Sequence, residues 1–171
     1  MLSRVTRSSW KDIQAQWRQE CVDLGENFDS FSPFAMAHVE KILLEDPPNP
    51  RYGIFSFSRS GQCDAIMHAN SNIWPTTHGK ILRIVWIFLS PRFDYEERDL
   101  AEIASVASGV ISGAVALARS AEMTSQHIQL RMGTAFDRTM IASVGAVLGT
   151  MSGITMKIRG SWVYLDGLGA P

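Results

Sequence analysis

Proton transfer near neutral pH falls first to histidine, and this chain has four: His38, His68, His78 and His127. They are scattered, with no H-x-x-E-H motif and no i,i+4 pair, so a metal site would need ligands gathered by the fold. No metal is expected. His78 beside Gly79 suits a turn. His68 lies within a strand-like stretch, where it can face a cleft and act as a general base. Cys21 and Cys63 form no C-x-x-C pair and read as small core residues. No G-x-S-x-G elbow supplies a serine nucleophile.

The remaining chemical feature is a junction, "SPRFDYEERDLAEIAS" at residues 90–105. Strand-to-helix junctions can seat a phosphate through glycines and free backbone N–H groups. This one has no glycine and carries Asp94, Glu96, Glu97 and Asp99. Each carboxylate can stabilise a bare helix terminus by about 0.3–1 kcal/mol, less where they repel one another, and all repel an incoming diphosphate. Only Arg92 and Arg98 act the other way.

The 171 residues, 46% hydrophobic and 19% charged, suffice for one domain (1–171) with a sizeable core. A formal charge of −1 sets up no global field for nucleic acid or anionic lipid, and basic clusters along the chain are thin. Neither nucleic acid nor membrane is expected as a partner. Two cysteines and no apolar run near the N-terminus fit a soluble protein of a reducing compartment, the cytoplasm. Ile103 to Ala118 carries no charge, but falls short of the roughly 20 apolar residues a bilayer takes, so a buried helix is expected.

Periodicity supplies the elements. N-terminal helices fall within 9–45: one from about Trp10 to Leu24 capped by Ser9, another beginning at Ser32-Pro33 and ending before "EDPPNP". A strand meander fills 52–91, with a hairpin at Arg59-Ser60-Gly61-Gln62 and a second turn over 75–80. In "ILRIVWIFLSP", strict alternation points Ile81, Val85, Ile87 and Leu89 one way and Leu82, Ile84, Trp86 and Phe88 the other. Arg83 apart, both faces are apolar, as in a central strand covered on both sides. A long helix is expected over 97–122, then a strand, helix and hairpin over 127–167, turning at Arg159-Gly160-Ser161. In that hairpin Ile154, Met156 and Ile158 should face inward. Ser105, Gly109 and Gly113 leave room for close packing of the long helix or for part of a ligand. Trp74, Trp86 and Trp162 suit either a pocket or the core. "MIASVGAVLGTMSGI", residues 140–154, is apolar nearly all round; so much surface to cover predicts a homo-oligomer or a place in a larger assembly. The class is α/β (α+β), a mixed, largely antiparallel sheet flanked by helices on both faces.

This order, with the strand end "IFLSP", resembles the GNAT acyltransferase superfamily over most of the chain; a short first strand would come from "LSRVT". The resemblance implies an N-acyltransferase using acetyl-CoA or another acyl-CoA, with the acceptor left open. The family's Arg/Gln-x-x-Gly-x-Gly/Ala loop, which binds the cofactor diphosphate, is degenerate here: residues 92–99 read Arg-Phe-Asp-Tyr-Glu-Glu-Arg-Asp. What carries over is main chain at Phe88, Leu89 and Ser90, which would pair with the pantetheine arm, together with Arg92 and Arg98. The family's carboxylate base has no counterpart between Ile81 and Pro91, and its tyrosine acid has none between Gly149 and Gly153, so the catalytic residues stay open, with His68 and, further on in the closing hairpin, Tyr164 as candidates. A second reading is the same fold without catalysis, kept as a binding or structural module, for instance in a virion. A third is an unrelated α/β domain with the same element order.

Overall fold

A computed structural model describes residues 2–45, 47–73, 79–95, 99–133, 141, 145 and 153–168. Seven strands form one sheet: β1 (Leu2–Arg4), β2 (Tyr52–Arg59), β3 (Gln62–Ile73), β4 (Lys80–Leu89), β5 (His127–Arg131), β6 (Thr155–Arg159) and β7 (Trp162–Asp166). Their order is β1-β2-β3-β4-β5-β7-β6. Only β4 and β5 run parallel; the other neighbours are antiparallel. The α-helices bounded within the described residues are α1 (Arg7–Asp23), α2 (Pro33–Leu43), the single turn α3 (Pro91–Asp94) and α4 (Leu100–Arg119). The expected class and sheet are therefore observed.

Two apolar layers sandwich the sheet. On one face α1 and α2 bury Trp10, Ile13, Trp17, Cys21, Met36 and Val39 against Ile54 and Ile66. Trp17 donates its indole N–H to the Cys63 carbonyl at 3.0 Å, which fixes α1 on β3. On the other face α4 lays Val106, Val110, Ala114 and Val115 over Phe55, Met67, Leu82 and Ile84. Gly109 and Gly113 let α4 come down onto the sheet: a Cβ at Gly109 would collide with the Phe57 ring, and one at Gly113 would meet Leu2 Cβ at 2.7 Å. The small-residue stripe is thus occupied by β1 and β2 side chains. α4 is long and apolar enough to cross a membrane by length and composition alone, yet its stripe is buried inside this fold.

Several expectations need correction. The first helix begins at Arg7, because Thr6 caps it in a reciprocal capping box with Ser9. Ser9 is its third residue rather than its cap. The helix expected over 97–122 is α4, shorter at both ends and capped by Asp99, and the separate turn α3 precedes it at the junction. Ile158 is 53% exposed, since β6 is the sheet's edge, although Met156 does pack on the core. The hairpin at 59–62 is as read: Ser60 and Gly61 both hold positive φ, 49° and 81°, the geometry that two-residue hairpin loops favour. The turn at 75–80 lies largely outside the described residues. So does the apolar stretch 140–154, on which the oligomer expectation rests, apart from Ile141, Gly145, Gly153 and Ile154.

Candidate functional site

The site begins with one extra residue in β4. Its partners on β3 run Ile84↔Ala69 and then Trp86↔His68, so Val85 has no partner and forms a β-bulge. The bulge exchanges the two faces of the strand. Before it Leu82 and Ile84 face α4; after it Ile87 and Leu89 do, while Trp86 and Phe88 turn to the α1/α2 side. Strict alternation groups these residues differently, with Ile87 and Leu89 opposite Leu82 and Ile84, and the bulge is why the structure departs from it.

The bulge also ends a ladder. The parallel pairing of β4 with β5 runs from Ile81↔His127 to Ile84↔Leu130. Beyond it β4 stays with β3, through Phe88↔Ile66 and Leu89↔Ala65. β5 instead follows β7: Arg131 pairs with Trp162, and the Met132 N–H donates to the Ser161 carbonyl at 2.8 Å. The strands part, leaving an opening of about 430 Å³ between Val85–Ile87 and Leu130–Gly133, with Ile141 beside it. Along this stretch the edge of β4 that faces away from β3 has no strand partner among the described residues.

Side chains around the opening divide by face. His68, on β3, is buried and sits across the ladder from Trp86, a wall of the opening. Its Nδ1 lies 3.4 Å from Nε2 of His38, an exposed residue of α2. The two imidazole centres are 5.1 Å apart, with the Trp86 ring 5.5 Å and the Tyr52 ring 6.3 Å from His68. Burial, and then the neighbouring His38, push His68 down to about 4. It is therefore neutral through the physiological range and a weaker base than a free imidazole, with the exposed His38 beside it. Sequence spacing could not pair residues on α2 and β3; only the fold brings these histidines together.

The proposed cofactor residues fall in different places. Phe88 and Leu89 lie on β4 just beyond the opening, with Phe88 stacked edge-on against Trp86 at 5.1 Å. The Ser90 N–H is already given to the Asp64 carbonyl at 2.8 Å, and its buried hydroxyl has no partner among the described residues. Arg92 turns inward. Its guanidinium bonds Asp64 and Gln62, and its main-chain N–H donates to Glu20 at 3.3 Å. Asp64 is fully buried and bonded by Arg59 as well. Arg98, Glu96 and Glu97 lie outside the described residues, as do Trp74 and His78. Asp99 accepts from the Ala101 N–H at 3.1 Å, so the start of α4 is capped by its own chain.

Tyr164 is on β7, where its hydroxyl accepts from Gln129 at 3.3 Å; it does not line the opening. His127 is paired with Asp166 at 2.9 Å, and Asp166 with Lys157 at 3.1 Å. Both cysteines are buried, and burial pushes the Cys63 thiol up to about 12, which removes it as a nucleophile. Among the described residues no three of His, Cys, Asp and Glu gather as metal ligands.

The fold as a whole is similar to that of solved acetyltransferases. A crystal structure of an N-acetyltransferase from Staphylococcus aureus Mu50 is 13% identical, covers 99% of this chain and 98% of its own, and superposes with a TM-score of 0.50. A probable acetyltransferase is 13% identical, with 93% and 98% covered and a TM-score of 0.52. An acetyltransferase of the GNAT family from Streptococcus pneumoniae is 14% identical over 96% and 95%, with a TM-score of 0.46. No family model and no curated protein matches the sequence. The chain has a GNAT-like fold. At these identities the likeness speaks for architecture; activity has to be argued from the site.

Proposed function

We propose that this chain is an acyl-CoA-dependent N-acyltransferase whose thioester substrate lies in the opening between β4 and β5. The observation that carries this reading is the bulge at Val85 with the ladder ending at Ile84↔Leu130. It leaves a strand edge whose amides and carbonyls need partners. A pantetheine arm is extended and carries two amides of its own, so it supplies those partners as an added strand would. In this role Phe88 and Leu89 act through main chain. Ser90 contributes its hydroxyl rather than its N–H.

The acyl thioester supplies the group transferred. His68 accepts the proton that leaves the attacking amine as the C–N bond forms and passes it through His38 to water; the C–S bond breaks to release coenzyme A as its thiolate, which takes up a proton from water. Tyr164, turned onto Gln129, is left out of this assignment.

The diphosphate is held differently from the family's pattern. The junction has no glycine, Asp99 already caps α4, and Arg92 is committed to Asp64. Those three facts favour the rival reading, a GNAT-like module kept for binding or assembly without catalysis. Thermal unfolding with acetyl-CoA decides between them. At about a hundred times its dissociation constant a ligand stabilises by about 2.7 kcal/mol, which for a domain of this size raises Tm by roughly 5–10 °C. No shift at about millimolar acetyl-CoA would leave the non-catalytic module standing.

A further inference from the structure

The sheet face shared with α1 and α2 continues past them onto β5, β7 and β6, and there the ladder sorts charge in a way the linear chain conceals. Arg83 pairs with Gln129, Gln129 with Tyr164, and Tyr164 with Lys157. One row nearer the opening, Arg131 pairs with Trp162 and Trp162 with Arg159. All these side chains share one face, because Val163 and Leu165, which alternate with them on β7, point into the core under α4. Arg131, Lys157 and Arg159 thus share this face with one carboxylate, Asp166, among the described residues of β5, β6 and β7, and Arg83 joins them from β4.

That carboxylate is already satisfied by Lys157 and His127. Arg83 stacks its guanidinium 4.9 Å from the centre of the Trp162 ring. Arg131 and Arg159 are exposed, and neither side chain makes a hydrogen bond or ion pair among the described residues. Gathering like charges around one indole does not help the fold. Arg131 also lines the opening between β4 and β5, so the row ends where the acyl group would be delivered.

We propose that the Arg131–Trp162–Arg159 row docks the carboxylates of an acidic peptide and presents that peptide's amine to the opening. This rests on the acyltransferase reading for the fate of the amine, but the docking itself does not need acyl-CoA. Planar guanidinium forks match carboxylates in bidentate fashion, and a row of them beside an aromatic ring suits an extended acidic segment. A chain of net charge −1 offers no wider field to gather a nucleic acid.

The test is fluorescence anisotropy of a short poly-glutamate peptide with a free amino terminus, labelled at its other end and titrated with the intact protein. Poly-lysine and oligothymidylate of similar length serve as the other arms. Poly-glutamate should bind, should weaken several-fold between about 20 and about 200 mM salt, and should lose roughly tenfold or more in affinity with Arg159→Glu. Arg159→Gln should lie between the two, and Arg159 is an exposed position on an edge strand where neither change disturbs packing. Equal binding by wild type and both variants, no binding of poly-glutamate, or tighter binding of oligothymidylate would each overturn the proposal. Acetyl-CoA stabilisation without poly-glutamate binding removes the docking row and leaves the acyltransferase; poly-glutamate binding without acetyl-CoA stabilisation does the reverse.

Discussion

Asp64→Ala is expected to cost the folded protein about 3 kcal/mol, read as a fall in the urea midpoint at unchanged slope. Asp64 is fully buried, and its two carboxylate oxygens are bonded by Arg59 on the first hairpin and Arg92 in α3. Removing one partner of such a cluster leaves the remaining charges buried without compensation, which typically costs about 3–5 kcal/mol. The low end applies because the arginine side chains are 36% and 22% exposed and can reach water. Asp64→Asn keeps an acceptor for one guanidinium and should lose less. The consequence is more than stability. The Asp64 carbonyl holds the Ser90 N–H and its carboxylate holds Arg92, so this residue anchors the end of β4 immediately beyond the opening. A loss below about 1 kcal/mol would mean that the cluster is worth no more than an exposed ion pair.

The second large effect belongs to His68. Its folded value of about 4 lies below the ordinary 6.5, chiefly through burial. Below pH 6.5 the unfolded chain takes up a proton that the folded chain refuses, so acid favours unfolding, and the effect is complete near pH 4. Across that window wild type should lose up to about 1.4 kcal/mol per pH unit more than His68→Phe, which fills the same space without titrating. Chemical denaturation of both proteins at several pH values reads the difference directly. Parallel curves would show that His68 is protonated as easily folded as unfolded. On the acyltransferase reading the same substitution removes the proton acceptor, and transfer to an amine should slow by about a hundredfold while acetyl-CoA still stabilises the protein. Retained transfer would remove His68 from the mechanism.

Much of the fold could be read locally, because its causes are local. The Ser60-Gly61 loop, Pro33 at the start of α2 and the apolar stripe of α4 each announce themselves within a few residues. The site could not be read this way. "ILRIVWIFL" is apolar on both faces, so a one-residue slip at Val85 leaves no polar residue out of place to mark it. A strand with one wet face would have betrayed the bulge. His38 and His68 come from a helix and a strand with no shared spacing, and their meeting depends on how α2 lies on the sheet. The resemblance puts Arg92 at the first position of the diphosphate loop; its commitment to Asp64 is a tertiary contact that the sequence does not announce. The basic face likewise looked thin along the chain, since Arg83, Arg131, Lys157 and Arg159 become neighbours only through pairing of β4, β5, β7 and β6.

The account turns on what the parted strands hold, and a crystal structure of the complex with coenzyme A tests that most directly. The pantetheine arm should lie between Val85–Leu89 and Leu130–Gly133, hydrogen-bonded to β4 main chain, with its sulfur on the His68 side of Trp86. An arm seated elsewhere, leaving the edge of β4 to water, would contradict it.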